Sequence, residues 1–337
     1  MSKNKNVLYF TKNINDAKRV YSCDIKNKIE QEFTVLSDKI FTKKDIKNNI
    51  ELFAKANYIF STWGIEYLTC DEIKKYLPNL EAVFYSAGSV QDFAMPYIEN
   101  GIRVFSAYRA NAVAVIEFTY AQIILAAKGY FGAVKKAKIN RYEGFKYSNK
   151  CGGMYGTKIG ILGVGSIGLG VAEKLQNNDV ELYYYDPFLP EDVAKKLNLK
   201  QASLKEIFSQ CDIITNHLAN KDELVGILNG ELFNLMKPYA TFINTGRGRQ
   251  VDEKGLCKAL KKVNTRTALL DVTYPEPARI FSKIRRLKNV ILTPHIAGSN
   301  GREVQRMAEY MLEEAKNLEQ NKELKNEITK EMLKTMA

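Results

Sequence analysis

The sequence has 337 residues, 45% of them hydrophobic, with no run near the roughly 18–20 uninterrupted apolar residues of a membrane span, so we expect two domains in a cytoplasmic protein. Its net charge of +12 excludes little, because the lysines are spread along the chain without a nucleic-acid-binding module; we expect neither nucleic acid nor a membrane as partner. Five scattered cysteines, with no C-x-x-C pair and no histidine at zinc-site spacing, predict reduced thiols and no metal site.

The first third of the chain alternates short apolar runs with polar helical stretches, a pattern typical of parallel βα units. The predicted strands are Val7–Phe10, Phe33–Leu36, Tyr58–Trp63, Ala82–Ser86 and Val104–Ala107. A denser apolar segment, Ala112–Lys128, follows Asn111 as a candidate N-cap. So apolar a helix is expected to be buried between two bodies.

The βα rhythm restarts at Lys158, and six apolar runs predict a doubly wound parallel sheet. These runs are Ile159–Leu162, Val180–Tyr185, Asp212–Thr215, Ala240–Asn244, Ala268–Val272 and Val290–Leu292. Near the C-terminus, Asn300 and Glu303 resemble a capping box. One helical stripe follows and is expected to pack back on the first half; it comprises Val304, Met307, Met311, Ala315 and Leu318.

A glycine-rich motif follows the strand predicted at Lys158–Leu162 and opens a helix predicted at Leu169–Leu175. The first glycine permits a tight turn, the second lets the backbone approach a pyrophosphate, and the third lets helix and strand pack closely. Free N–H groups at the helix N-terminus would bind the phosphates. The motif therefore predicts a dinucleotide site formed by Gly163, Gly165, Ser166, Ile167 and Gly168.

An aspartate ends the next predicted strand. The carboxylate of Asp186 can accept hydrogen bonds from the ribose hydroxyls of adenosine, and it would repel a 2′-phosphate. No arginine stands beside it in Asp186-Pro187-Phe188. We therefore predict NAD rather than NADP as the cofactor.

Histidine is scarce, and both histidines, His217 and His295, follow predicted strands at the end where open α/β sheets place their ligands. Reversible hydride transfer at a carbinol carbon needs a group that accepts the hydroxyl proton and returns it in the other direction. Histidine, with an ordinary pKa of about 6.5, suits that task. Because Pro294 cuts the preceding strand and directs the imidazole outward, His295 is the candidate acid–base catalyst.

Glu276 lies between two prolines just beyond another predicted strand end. If it pairs with the second imidazole nitrogen of His295, it fixes the tautomer and favours the protonated ring, which assists reduction of a keto acid. The alternative is a surface glutamate in a turn, because spacing alone does not show that it reaches His295.

Arg247 lies in the segment Asn244–Gly248, after another predicted strand. A guanidinium can bind a carboxylate through two parallel hydrogen bonds and polarise the neighbouring keto oxygen. Flanking glycines leave room for close approach. Arg249 is the nearby alternative, and spacing does not decide between the two.

Together these stretches resemble the D-isomer-specific 2-hydroxyacid dehydrogenase family, which includes D-lactate, glycerate, phosphoglycerate and formate dehydrogenases. The resemblance covers most of residues 80–315. It implies an NAD-dependent oxidoreductase that interconverts a small 2-hydroxy acid and its 2-keto acid. On the motifs quoted above, it assigns the substrate arginine to Arg247, the acid to Glu276 and the imidazole to His295. Positions lining the nicotinamide side fall on Thr245, Gly246 and Asp271, with His217 beside the cofactor.

The resemblance also implies an architecture: a Rossmann-type NAD-binding domain, residues 111–299, inserted into a flavodoxin-like α/β substrate domain formed by residues 1–110 and 300–337. Family members are usually homodimers. Phe131–Tyr155 occupies the place of the extended arm that commonly clasps the partner subunit.

Two segments depart from the common family pattern. The substrate loop falls on Ser86–Val90, where backbone N–H groups would hold the substrate carboxylate, so the substrate-binding residues are Ala87, Gly88 and Ser89. Val90 replaces a second glycine found in many members, which leaves the loop's shape and the substrate's size open. Arg109 either recognises a second anionic group or is simply solvated.

A different class of function fits the same fold. The family also resembles the C-terminal-binding proteins, in which the nucleotide controls assembly instead of reacting, so an NAD-sensing corepressor is the alternative prediction. The complete set of Arg247, Glu276 and His295 favours the enzyme.

Overall fold

The computed structural model describes residues 5–333, and the chain divides into two compact units. The first unit contains the residues up to Ala112 and those from Ser299 onward, and the second is Val113–Gly298. The second unit is thus inserted into the sequence of the first. Its ends lie one or two residues from the boundaries expected above.

The first unit contains a five-stranded sheet in which every pairing is parallel. Its strands are β1 (Asn6–Phe10), β2 (Thr34–Phe41), β3 (Tyr58–Ser61), β4 (Ala82–Tyr85) and β5 (Arg103–Ser106). The order β2-β1-β3-β4-β5 is the flavodoxin-like doubly wound order. Between the strands run α1 (Ile14–Val20), α2 (Cys23–Glu32), α3 (Ile50–Ala54), α4 (Cys70–Tyr76), α5 (Ala94–Glu99) and a 3₁₀ helix, Lys43–Asn48.

The second unit contains a seven-stranded parallel sheet in the order β12-β11-β10-β9-β6-β7-β8. The strands are β6 (Thr157–Leu162), β7 (Val180–Tyr185), β8 (Lys200–Gln201), β9 (Ile213–Asn216), β10 (Thr241–Asn244), β11 (Thr267–Leu270) and β12 (Val290–Leu292). This is a Rossmann-type doubly wound sheet. Six strands were predicted; β8 was missed because it is two exposed polar residues at the sheet edge, without an apolar run.

Helices connect these strands, and the first of them crosses from one unit to the other. They are α6 (Tyr108–Ala127), α7 (Tyr130–Ala137), α8 (Arg141–Ser148), α9 (Ser166–Leu175), α10 (Glu191–Lys196), α11 (Leu204–Gln210), α12 (Gly230–Leu235) and α13 (Glu253–Lys262). Three 3₁₀ helices lie at Asp222–Leu224, Gly248–Gln250 and Lys283–Arg286. The chain then returns to the first unit as α14 (Glu303–Glu319) and α15 (Lys330–Leu333).

The return of α14 completes the core of the first unit. Three stacked phenylalanines, Phe60, Phe84 and Phe105, lie on one face of neighbouring strands, with ring centroids 5.2 and 4.9 Å apart. The predicted apolar stripe of α14 joins the same core, so its sequence periodicity did locate the buried face. Only half of the predicted capping box forms: the Asn300 N–H donates to the Glu303 carboxylate, but Arg302 occupies the N-cap position.

Helix α6 begins at Tyr108, four residues before the predicted start, so Asn111 is not its N-cap. The Asn111 side chain instead accepts a hydrogen bond from the Ser299 N–H. This bond joins the two places where the chain passes between the units, after Ala112 and before Ser299. By length and composition α6 is apolar enough to cross a membrane, a test that core helices of soluble proteins also pass. Half of its apolar window is buried, and its C-terminal part packs in the core of the second unit.

The segment expected to take the place of the partner-clasping arm, Phe131–Tyr155, is largely helical. It contains most of α7 and all of α8, which pack against each other as a helical hairpin. A Cβ on Gly132 would lie 2.2 Å from the Tyr147 ring. Because glycine has no side chain, the Tyr147 ring of α8 can pack directly against the backbone of α7. The Tyr147 hydroxyl donates to the Thr265 carbonyl, which fastens the hairpin to the body of the second unit.

Candidate active site

The glycine-rich turn between β6 and α9 has the geometry predicted for it. Gly163 has a φ of +81°, and a Cβ there would lie 2.7 Å from the His217 carbonyl oxygen. A Cβ on Gly168 would lie 2.0 Å from the Gly163 oxygen, so only glycine allows this close packing of helix and strand. Gly165, the N-cap of α9, has open space where its side chain would be. This opening leaves the helix N-terminus at the exposed Ser166 and the half-buried Ile167 accessible to a phosphate, while Gly168 is buried.

Asp186 lies just beyond β7, beside this turn. Its carboxylate accepts hydrogen bonds from the Val164 N–H at 2.7 Å and the Phe188 N–H at 2.9 Å. Each carboxylate oxygen retains further acceptor capacity for a ribose hydroxyl. A shallow cavity of about 360 Å³ opens beside Asp186 and is also lined by Glu206. None of its described lining residues is basic, which disfavours a 2′-phosphate.

His295 and Glu276 meet, although 19 residues separate them in sequence: the imidazole Nδ1 is hydrogen-bonded to the Glu276 carboxylate. Both side chains remain accessible, with exposed fractions of 53% and 40%. The contact leaves Nε2 as the ring nitrogen available for proton exchange with a ligand. The geometry therefore offers an acid–base imidazole whose tautomer is set by a carboxylate.

A buried aspartate holds the turn that carries His295. The carboxylate of Asp271, 3% exposed, accepts from the Thr293 hydroxyl at 2.5 Å and from the Ile296 and Ala297 N–H groups, each at 2.9 Å. Its carbonyl also accepts the His295 N–H at 3.0 Å. His295 has a φ of +55°, a left-handed conformation that costs energy in a non-glycine residue and persists only where the surroundings impose it. The position of Asp271 on the nicotinamide side stays a prediction, and its carboxylate is bonded to this turn.

The two candidate arginines differ in environment. Arg249 forms an ion pair with the exposed Asp222. Arg247 donates to the Gly246 carbonyl at 3.0 Å and forms no ion pair within residues 5–333. Burial lowers the pKa of Arg247 from its usual value, and the negative charge of Glu276 opposes that shift. Arg247 is therefore a partly desolvated cation, near the carboxylate that contacts His295, with donors available for an anionic ligand.

The loop of Arg247 packs directly on the loop that leads to Glu276. A Cβ on Gly248 would lie 2.1 Å from the carbonyl carbon of Thr273, so glycine is required for this approach. Parallel neighbours β10 and β11 place both loops at the same edge of the sheet. The structure thus brings together the three residues proposed for catalysis at the carboxyl ends of adjacent strands.

His217 is partly buried. Burial lowers its pKa to about 3, so it is neutral at physiological pH and unsuited to proton exchange there. Its Nε2 is hydrogen-bonded to the Thr215 hydroxyl at 2.9 Å and its Nδ1 approaches the Thr245 hydroxyl at 3.5 Å. Thr245 in turn contacts the buried Thr119 hydroxyl of α6 at 3.2 Å. Sequence reading missed Thr119, because a lone threonine in an apolar helix carries no motif.

The predicted substrate loop, residues 86–90, lies after β4 in the first unit. The Ala87 N–H, expected to bind the substrate, donates to the Tyr85 carbonyl at 2.8 Å and is therefore not free. In this loop Gly88 is partly buried and Ser89 is exposed. Val90 is buried in the core, and its carbonyl accepts the N–H groups of Phe93 and Ala94 at the start of α5. Arg109 is exposed and stacks on Tyr108, with 5.6 Å from guanidinium to ring centroid.

The residues beside β6 and β7 fit NAD. The open Gly165, the N-terminus of α9 and the acidic end of β7 match the needs of a pyrophosphate and an unphosphorylated ribose. When bound, NAD would supply or accept a hydride.

Curated relatives match the chain over part of their length. D-3-phosphoglycerate dehydrogenase of Synechocystis sp. is 32% identical over 199 residues, 59% of this chain and 35% of that protein. Glyoxylate reductase of Korarchaeum cryptofilum is 34% identical over 160 residues, 48% of each chain. The chain spans about a third to three-fifths of the length of the first curated relatives it matches.

Solved structures share the fold along almost the whole chain. A phosphoglycerate oxidoreductase from Rhizobium etli superposes with a TM-score of 0.80 at 19% identity, covering 98% of this chain and 100% of that one. D-lactate dehydrogenase from Escherichia coli gives a TM-score of 0.67 at 21% identity, covering 96% and 100%. The fold predicted from the sequence is thereby confirmed. The comparisons give no support to the corepressor alternative.

A family model covers more than half of the chain. The model for the NAD-binding domain of D-isomer specific 2-hydroxyacid dehydrogenases matches residues 121–297, which include the glycine-rich turn, Asp186 and the segments bearing Arg247, Glu276 and His295. The predicted cofactor, NAD, is confirmed with it. The chain belongs to the D-isomer specific 2-hydroxyacid dehydrogenase family.

Proposed function

We propose that this protein is an NAD-dependent dehydrogenase that interconverts a small 2-hydroxy acid and its 2-keto acid, with D stereospecificity. The observation that carries the proposal is the contact of His295 with Glu276 beside the unpaired, partly buried Arg247. The named relatives act on 3-phosphoglycerate and glyoxylate, a 2-hydroxy acid and a 2-keto acid, which supports this substrate class.

Each of the three residues has a separate task. Arg247 binds the substrate carboxylate through its guanidinium and polarises the adjacent keto oxygen. His295 donates a proton from Nε2 to that oxygen during reduction and takes it back during oxidation. Glu276 accepts a hydrogen bond from the Nδ1 proton, which keeps the ring oriented and fixes its tautomer.

The first unit is proposed to bind the substrate. Backbone N–H groups of Gly88 and Ser89 are the candidates for the substrate carboxylate. Ser89 also lines a cavity of about 400 Å³, whose charged lining residues are Lys12, Lys43, Glu66 and Asp92. A substrate side chain that extends toward Ser89 would meet a polar surface.

The test is a panel of 2-keto acids with NADH, followed by nicotinamide absorbance. We expect His295→Ala to lower kcat by at least about 10²-fold while NADH still binds. Arg247→Ala should chiefly raise KM for the keto acid and also lower kcat. Arg249→Ala is the matched control, because its guanidinium already pairs with Asp222, and it should stay near wild type. Full activity in both His295→Ala and Arg247→Ala would refute the assignment.

We further propose a homodimer in the cytoplasm, with the α7–α8 hairpin at the interface. The hairpin and its flanks expose large apolar side chains, including Ile139 (90%), Tyr142 (70%), Phe145 (63%) and Tyr155 (84%). Contiguous exposed apolar surface is typical of protein interfaces. Sedimentation analysis should give a dimer for the wild type and a monomer for Ile139→Asp/Phe145→Ser; a monomeric wild type would contradict this.

A further inference from the structure

Three side-chain amides form a buried cluster at the carboxyl ends of β9 and β10. Asn216 ends β9, Asn244 ends β10 in direct register with it, and Gln250 lies in the 3₁₀ helix after Arg247. All three are fully buried, with exposed fractions of 0%. Burying a polar amide costs free energy unless its N–H and C=O groups are hydrogen-bonded. The hydrogen-bond partners of the cluster therefore indicate which parts of the backbone it holds.

Most polar atoms of the cluster have partners within the protein. The Asn216 Nδ2 donates to Asn244 Oδ1 at 3.0 Å and to Gln250 Oε1 at 2.8 Å. The Gln250 Nε2 donates to the carbonyls of Leu218 at 3.1 Å and Ala219 at 2.7 Å. Such a satisfied network rigidifies the backbone that it binds.

The cluster binds the backbone of the Arg247 loop on one side. Asn244 Oδ1 accepts the Gly246 N–H at 3.0 Å, and its Nδ2 donates to the Arg247 carbonyl at 3.3 Å. A Cβ on Gly246 would lie 3.1 Å from Asn216, so this loop rests closely on the cluster.

On the other side the cluster binds the loop that backs the glycine-rich turn. Asn216 Oδ1 accepts the Leu218 N–H at 3.3 Å, and Gln250 holds the carbonyls of Leu218 and Ala219. Gly163 packs against His217 and Leu218 so closely that a Cβ would lie within 3 Å of both. The dinucleotide turn and the substrate arginine are therefore linked through one set of amides.

We propose that Asn216 and Gln250 are positioning residues that fix the Arg247 loop and the wall of the NAD site relative to each other. The part of this inference that concerns Arg247 rests on the proposed function. The part that concerns the wall of the NAD site does not. Neither residue belongs to the glycine motif or to the proposed catalytic set. Apolar residues of the same size would fill the space but would leave the carbonyls of Leu218 and Ala219 without these donors.

The test is Gln250→Met, which keeps the length of the side chain and removes its amide. We expect the Kd for NADH, measured by fluorescence, to rise about tenfold, and kcat/KM for the keto acid to fall by at least that factor. Hydrogen exchange should speed up in segments 214–220 and 244–250. The double variant Asn216→Leu/Gln250→Met should lose less NADH affinity than the sum of the two single variants, because each single change already removes the Asn216–Gln250 hydrogen bond.

Asn289→Leu is the matched control. Its amide also donates to two backbone carbonyls, Leu260 at 3.1 Å and Arg266 at 2.8 Å, but it lies at the amino end of β12. It should lower the melting temperature and leave NADH binding within about twofold of wild type. Equal effects of Gln250→Met and Asn289→Leu on the NADH Kd, or additive losses in the double variant, would overturn the proposal. If Gln250→Met does not fold, Asn216→Ser takes its place with the same expectations.

The outcomes separate the two proposals. A wild-type protein that reduces no 2-keto acid would refute the proposed function, while NADH affinity and hydrogen exchange would still decide whether the amide cluster positions the cofactor site.

Discussion

Asp271→Asn tests how the turn bearing His295 is held. Within residues 5–333, every hydrogen-bond partner of the Asp271 carboxylate is a donor: the Thr293 hydroxyl and the N–H groups of Ile296 and Ala297. An amide has one oxygen and one NH₂ group, so wherever its nitrogen points it faces a donor. At least one charge-assisted hydrogen bond is lost, and a buried N–H is left without an acceptor.

The magnitude follows from those losses. A hydrogen bond to a charged group contributes about 1.5–3 kcal/mol, and an unsatisfied buried donor costs about 1–3 kcal/mol. We expect the free energy of unfolding to fall by about 3 kcal/mol. That corresponds to a fall in Tm of about 6–12 °C for a domain of this size. Because the turn holds His295 at a φ of +55°, its relaxation should also lower kcat/KM by about ten- to a hundredfold.

Thermal melts, NADH binding and keto-acid reduction measure these effects together. Asp212→Asn is the control, because Asp212 also accepts a backbone N–H, from Lys158 at 3.0 Å, and pairs with Lys237, but at the amino end of β9. It should lower Tm and leave kcat/KM near wild type. If Asp271→Asn lowers Tm without affecting turnover, or if both variants impair turnover equally, the proposed link between Asp271 and His295 is wrong.

Three further predictions concern the cofactor site. Gly165→Ala should leave Tm within about 2 °C of wild type yet weaken NADH binding. Gly168→Ala should lower Tm markedly, because its Cβ would meet the Gly163 oxygen. The reverse pattern in thermal melts and NADH fluorescence titrations would contradict the geometry. Asp186→Ala should lower the ratio of the NADPH Kd to the NADH Kd by about tenfold or more. An unchanged ratio would mean that Asp186 does not recognise the ribose. In the folded protein the pKa of His217 is lowered to about 3, so the imidazole stays neutral until the pH approaches that value. In the unfolded chain the same imidazole binds a proton near pH 6.5. Its contribution to stability is therefore complete above pH 6.5 and is lost at up to about 1.4 kcal/mol per pH unit below it. His217→Gln should flatten that acid dependence in urea melts between pH 6.5 and 4, and an unaltered slope would count against burial as the cause.

The positions of the strands could be predicted from the sequence because strands of a parallel sheet covered by helices are largely apolar. Val180–Tyr185 and Val290–Leu292 were located to the residue. The edge strand β8 could not be found in this way, since it buries no apolar side chain. The resemblance gave the location of a partner-clasping arm but not its conformation. The α7–α8 hairpin found there depends on packing around Gly132 and Tyr147.

The sequence by itself determined the dinucleotide site, because the turn, the helix N-terminus and the acidic strand end are local and follow one another along the chain. It also narrowed the chemistry to two arginines, a glutamate and a scarce histidine. Only the tertiary structure shows that Glu276 contacts His295 and that Arg249 forms an ion pair with Asp222. It also shows that Asp271 and the buried amides are hydrogen-bonded to the loops that they hold. These contacts join residues from different strands, and which side chains meet there depends on the register of the sheet and on close packing between loops, neither of which any local pattern encodes.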